Sequence, residues 1–102
     1  MLTELTSCHD EIVDLCVRFR VRSLVAFGSA TGDEFDPGRS DVDFLVEFDA
    51  PHGMRRIDAY FGLKEGLEHL FGRRVDLVAP SALENPYFAE AVDRSRMDLY
   101  AA

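Results

Sequence analysis

Val21-Arg22-Ser23-Leu24-Val25-Ala26-Phe27-Gly28-Ser29, then eleven residues, then Asp41-Val42-Asp43-Phe44-Leu45-Val46-Glu47-Phe48, is the stretch that decides the fold of this chain. Two short, apolar, β-rich runs, Val21–Phe27 and Val42–Phe48, read as strands. Gly28 and Ser29 stop the first, and Ser29 is placed to cap a short turn or helix. Between them, residues 31–40 include Gly32, Asp33, Asp36, Pro37 and Gly38, which is loop composition. Side chains two apart on a strand share a face. Asp41 and Asp43 therefore point the same way at the start of the second strand. Val42, Phe44 and Val46 fill the other face.

Working outward, Ile12, Leu15, Cys16 and Phe19 recur at helical spacing and predict a helix over residues 6–19. Downstream, residues 54–71 predict a long helix with Ile57, Phe61, Leu67 and Leu70 near one face. Gly62 and Gly66 lie inside it, each costing about 1 kcal/mol relative to alanine, which suits close packing. Gly72 is placed to end this helix in a left-handed conformation. Residues 75–79 form a third strand. Asn85-Pro86 reads as an N-cap and first-turn proline, opening a last helix that runs to about Tyr100 and buries Phe88, Ala91, Val92 and Leu99. Helix, strand, loop, strand, helix, strand, helix is an α/β order. The expectation is one domain over residues 1–102, with a small three-stranded mixed sheet packed against about four helices.

With 102 residues and 47% hydrophobic content, the chain suits one modest core and not a disordered segment. No apolar run approaches the roughly 20 residues of a membrane span, and the first residues lack a signal-peptide pattern, so a cytoplasmic protein is expected. Eleven basic against nineteen acidic side chains leave a net charge of -8, which argues against direct nucleic-acid binding. The same acidity supplies metal ligands and can steer a basic protein partner. Cys8 and Cys16 fall two turns apart on the first predicted helix, too far for a disulfide. His9, His52 and His69 are scattered, and no Cys/His spacing resembles a zinc site.

Two carboxylates held as close as Asp41 and Asp43 repel unless a cation sits between them. Carboxylate oxygens suit Mg²⁺, which takes one or two protein carboxylates together with substrate phosphates and water. Asp76 interrupts the apolar third strand, where an unpaired charge is costly. If that strand lies beside the second, Asp76 joins the pair, and two metals there could activate an attacking hydroxyl and stabilise leaving pyrophosphate. Gly28 lets backbone approach a phosphate, and Ser29 offers an N–H and a hydroxyl. Gly-Ser turns and Asp-x-Asp pairs are each common. Their ordered combination, with a lone Asp in a third strand, points to chemistry on a nucleoside triphosphate.

Phe27-Gly28-Ser29-Ala30, followed by Arg39-Ser40-Asp41-Val42-Asp43-Phe44-Leu45-Val46-Glu47-Phe48, resembles the signature of the DNA-polymerase-β-like nucleotidyltransferase superfamily. The lead-in Val21-Arg22-Ser23-Leu24, the segment Val75-Asp76-Leu77-Val78, Asn85-Pro86-Tyr87 and Leu99-Tyr100 are similar to its minimal nucleotidyltransferase (MNT) branch. The resemblance implies a minimal nucleotidyltransferase fold with nucleotide-binding Gly28, Ser29 and Ser40. It implies catalytic and metal-ligating roles for Asp41, Asp43 and Asp76, with two Mg²⁺ ions and ATP as substrate. It further implies an antitoxin that moves AMP onto a tyrosine of a HEPN-domain RNase toxin, in a hetero-oligomer with that toxin. Two departures stand out. Thr31 precedes Gly32 where the family often has an arginine, and the gap from Ser29 to Asp41 is one residue longer than its commonest form. The alternatives are an antitoxin that acts by binding only, and a nucleotidyltransferase for a small molecule working with a partner subunit.

Overall fold

The computed structural model describes residues 2–32, 41–49 and 53–102. Ser40 and Phe35 lie outside the described residues. In chain order the elements are α1 (Glu4–Ser7), α2 (His9–Arg18), β1 (Val21–Phe27), a 3₁₀ turn (Gly28–Thr31), β2 (Val42–Phe48), α3 (Arg56–Phe71), β3 (Val75–Val78), a second 3₁₀ turn (Pro80–Glu84), α4 (Pro86–Ser95) and β4 (Met97–Ala101). The sheet is mixed, with strand order β3-β2-β1-β4. β1 runs antiparallel to β2 and to β4, while β2 and β3 are parallel.

Alternation along β2 separates two apolar layers. Val42, Phe44 and Val46 face a core built with Leu5, Ile12, Cys16, Leu63, Leu67 and Phe71 from the helices α1, α2 and α3. Phe44 and Phe71 stack there at 5.9 Å. Leu45 faces the other way, into a smaller cluster with Val25, Phe27 and Val92 of α4. Phe27 and Phe88 meet edge-on at 5.5 Å on that side. A bulge at Arg22, between the pairs Val21↔Phe48 and Ser23↔Glu47, turns Val21 and Leu24 to the same core. The extruded Arg22 side chain ion-pairs with Asp49 at 3.1 Å.

The expected three strands become four. The last helix stops at Ser95, Arg96 is extended, and Met97–Ala101 pairs with β1. Leu99 follows Val92 by seven residues, which is two helical turns, so helical periodicity continues across the break. No Gly or Pro marks the boundary. The expected first helix also divides. Cys8, with φ -104 and ψ 25, separates α1 from α2, so only Cys16 lies within a helix, and both thiols are free. Ser29 caps nothing through its side chain and lies within the 3₁₀ turn.

α3 begins at Arg56, and of its expected inner face Leu67 is buried and Leu70 packs against the core, while Ile57 and Phe61 do not face inward. Ala59, Leu63, Leu67 and Phe71 are buried, four residues apart, while Ile57 and Phe61 are exposed. Gly72 ends it at φ 65, and Asn85 caps α4 by accepting from Tyr87 N–H at 2.9 Å, with Pro86 in the first turn. Gly62 and Gly66 do permit close packing, since α2 crosses α3 there. A Cβ on Gly62 would fall 2.2 Å from the Phe19 ring, and one on Gly66 would fall 2.6 Å from Leu15.

Gly62→Ala gains helix propensity worth about 1 kcal/mol but drives a methyl into Phe19. The net expectation is a loss of about 1–2 kcal/mol, read from urea unfolding. A variant as stable as the wild type would show that the α2–α3 contact yields freely.

Candidate active site

The parallel pairing of β2 with β3 sets Asp43 opposite Asp76, in register with Val42↔Val75 on one side and Phe44↔Leu77 on the other. In-register partners project to the same face, so the two carboxyl groups meet. Asp41 stands just before β2, two residues from Asp43 on the same side. Asp41 and Asp43 are partly buried, and Asp76 is exposed. The reading of Asp76 as a charge inside a buried strand is thereby corrected. β3 is an edge strand, and water reaches its acid directly.

The electrostatics follow from that placement. Burial first, then the Asp76 and Asp41 charges and a carboxyl–carboxyl contact with Asp76, push the Asp43 carboxyl up from 3.8 to about 6. Three carboxylates thus share one region with Asp43 at its centre. Among the described residues, no group of three His, Cys, Asp or Glu side chains is arranged as a metal cage. The donors themselves suit Mg²⁺, which needs only one or two carboxylates when phosphate and water complete its shell.

Gly28 adjoins the acids. Its φ is +78, and a Cβ there would lie 3.1 Å from Asp43 Oδ2. Glycine is required on both counts: a side chain would be strained by the left-handed backbone and would press on the carboxylate. The Gly28 N–H donates to Ser95 Oγ at 2.8 Å. The Ser29 hydroxyl makes no hydrogen bond among the described residues.

Sequence reasoning brought Gly28, Ser29, Asp41, Asp43 and Asp76 together, and the structure places them around one end of β2. It missed Ser95, which lies 67 residues from its partner Gly28 in sequence and carries no local signature. It also gave Thr31 only a missing charge. Here the Thr31 hydroxyl reaches the Gly28 carbonyl at 3.0 Å and the Ser95 carbonyl as well. On the surface, Arg55 is paired with Asp58 at 3.0 Å. Arg94 pairs with Glu90, and Arg96 with Asp93 and Asp98.

Comparison with known proteins identifies the family. A family model described as a nucleotidyltransferase domain matches residues 10–98. A Methanocaldococcus jannaschii protein whose name proposes protein adenylyltransferase activity is 35% identical over 77 residues, which is 74% of each chain. A Thermococcus cleftensis relative, protein adenylyltransferase MntA, is 40% identical over 72 residues, covering 71% of this chain and 69% of its own. A solved structure described as a proposed minimal nucleotidyltransferase superposes with a TM-score of 0.69 at 32% identity, over 95% of both chains. A chain in a mutant of the toxin–antitoxin pair MntA–HpeT has the same fold at 18% identity, with a TM-score of 0.65 over 92% of this chain and 73% of that one.

The raised Asp43 value fixes the sign of a stability change. The folded state holds the Asp43 proton more tightly than the unfolded state does. Stability from this group is therefore complete below about pH 4 and is lost as pH rises through about 6. In metal-free protein at pH 7.5, Asp43→Asn should raise Tm by roughly 5 °C. The two proteins should converge below pH 4, and Mg²⁺ should raise the wild-type Tm but not the variant's. Parallel melting curves at every pH would contradict the carboxylate coupling.

Proposed function

Because the chain belongs to the nucleotidyltransferase domain family, in its minimal branch, we propose that it is a Mg²⁺-dependent adenylyltransferase. Its acceptor would be a tyrosine of a HEPN-domain RNase toxin, which it silences as the antitoxin. The observation that carries this reading is the register of β2 with β3, which sets Asp76 beside Asp43 at the Gly28 turn. The name of the Thermococcus cleftensis relative supports a protein acceptor. The shared fold of a chain in the MntA–HpeT pair supports a toxin in that place.

In this reading Asp41 and Asp43 hold the metal, and Asp76 stands on the acceptor side. Bound Mg²⁺ supplies charge neutralisation for the triphosphate and for departing pyrophosphate. The Ser29 N–H and hydroxyl, with Ser40, orient the phosphate tail, and the bare Gly28 backbone leaves room for it. The acceptor hydroxyl oxygen forms a bond to the α-phosphorus as the bond to the β-phosphate oxygen breaks. Its proton passes to the Asp76 carboxylate, which is open to an incoming chain. Such a transfer depends on positioning and electrostatics more than on covalent help from the protein.

The test is transfer of labelled AMP from ATP to a cognate HEPN-domain toxin. Asp43→Ala should lower the rate by about 100-fold or more while leaving the protein folded. Equal labelling by wild type and variant would refute the metal-site assignment. Toxin neutralisation by a folded Asp41→Ala plus Asp43→Ala protein would instead favour inhibition by binding alone.

A further inference from the structure

The turn that carries Gly28 and Ser29 is held from both ends of the chain. The Leu2 N–H donates to the Ala30 carbonyl at 2.7 Å. From the other side, the last turn of α4 reaches in. The Ser95 hydroxyl donates to the Ala91 carbonyl at 3.0 Å, which commits its hydrogen to its own helix and leaves a lone pair for the Gly28 N–H at 2.8 Å. The Thr31 hydroxyl closes the loop. Its single hydrogen is shared between the Gly28 and Ser95 carbonyls, one in the turn and one in the helix end.

Glycine has the widest conformational freedom of any residue, so a turn built on Gly28 does not hold its own shape. One side of Gly28 is closed by Asp43, 3.1 Å from where a Cβ would stand. The amide side is closed by Ser95. Rotation of the adjoining peptide would carry Ser29 away from the carboxylates. The Gly28 amide is already engaged, whereas the Ser29 hydroxyl makes no hydrogen bond among the described residues. At the position where the family resemblance places an arginine, this chain has a hydroxyl that fastens the turn.

Resting on the adenylyltransferase reading above, we propose that Ser95 and Thr31 are positioning residues for the nucleotide: a clasp from α4 that fixes the Gly28–Ser29 turn against Asp43 so that Ser29 meets the triphosphate tail. The clasp acts on the phosphates and leaves the nucleoside end of the ligand alone.

Calorimetric titration with Mg²⁺-ATP and with AMP tests this on the purified protein. Ser95→Ala and Thr31→Val should each bind Mg²⁺-ATP about 10-fold more weakly, the loss of roughly one hydrogen bond, with AMP binding changed less than about twofold. Ser95→Thr and Thr31→Ser keep the hydroxyl and should bind ATP within about threefold of wild type. Melting curves identify the folded variants, and Thr31→Val decides the matter if Ser95→Ala does not fold. Folded variants that bind Mg²⁺-ATP like the wild type overturn the clasp alone, as does an equal loss for ATP and AMP. A wild type that does not bind Mg²⁺-ATP overturns both the clasp and the adenylyltransferase reading.

Discussion

Like charges on adjacent strands repel, and a sheet that sets two of them opposite each other must be held in that register by something else. Here the holding force is the alternation of β2. Val42, Phe44 and Val46 are locked into the larger core, and Leu45 is locked into the smaller one. A slip of one residue would exchange these sets and bury acids where apolar side chains now sit. Packing on both faces therefore fixes where Asp43 goes, and the parallel partner β3 delivers Asp76 beside it. Burial, and after it the neighbouring acids, push the Asp43 carboxyl up.

The layers around the sheet divide the labour. α2 and α3 pack tightly through Gly62 and Gly66 against the face that carries no acids. α4 covers the opposite face, and its end touches the Gly28 turn. The chain then enters β4, which pairs with β1, the strand that leads into the same turn. Both ends of α4 are thereby tied: Asn85 caps its start, and Ser95 with β4 anchors its finish. The glycine turn of the candidate site is thus supported by sequence-distant segments.

Much of the candidate site was legible because its signals are local. Asp-x-Asp at the opening of a strand determines a shared face through the two-residue period alone. A glycine followed by serine at a strand end determines a turn. The place of Asp76 was legible only in part. Its chemistry stood out against Val75 and Leu77, but its neighbour depended on strand order, which composition does not encode. The first half of the inner face of α3 was misread for a related reason, while Leu67 and Leu70 were placed correctly. Ile57 and Phe61 are apolar and helically spaced, yet Ala59, Leu63, Leu67 and Phe71 offer an equally regular stripe, and contact with the sheet selects between them.

By itself, the sequence determined the α/β class, the two long strands, the Gly72 and Asn85 helix ends and the pairing of Asp41 with Asp43. Each rests on interactions within a few residues, where backbone geometry leaves few choices. Tertiary structure alone decided that β3 lies beside β2, that Met97–Ala101 leaves the helix to become a fourth strand, and that Ser95 engages the Gly28 amide. These depend on which segments meet across long sequence separations. A strand edge with unpaired N–H and C=O groups can accept any extended segment that reaches it. β1 presents such an edge, and the segment after Ser95 reaches it, overriding a helical pattern that continues through Leu99.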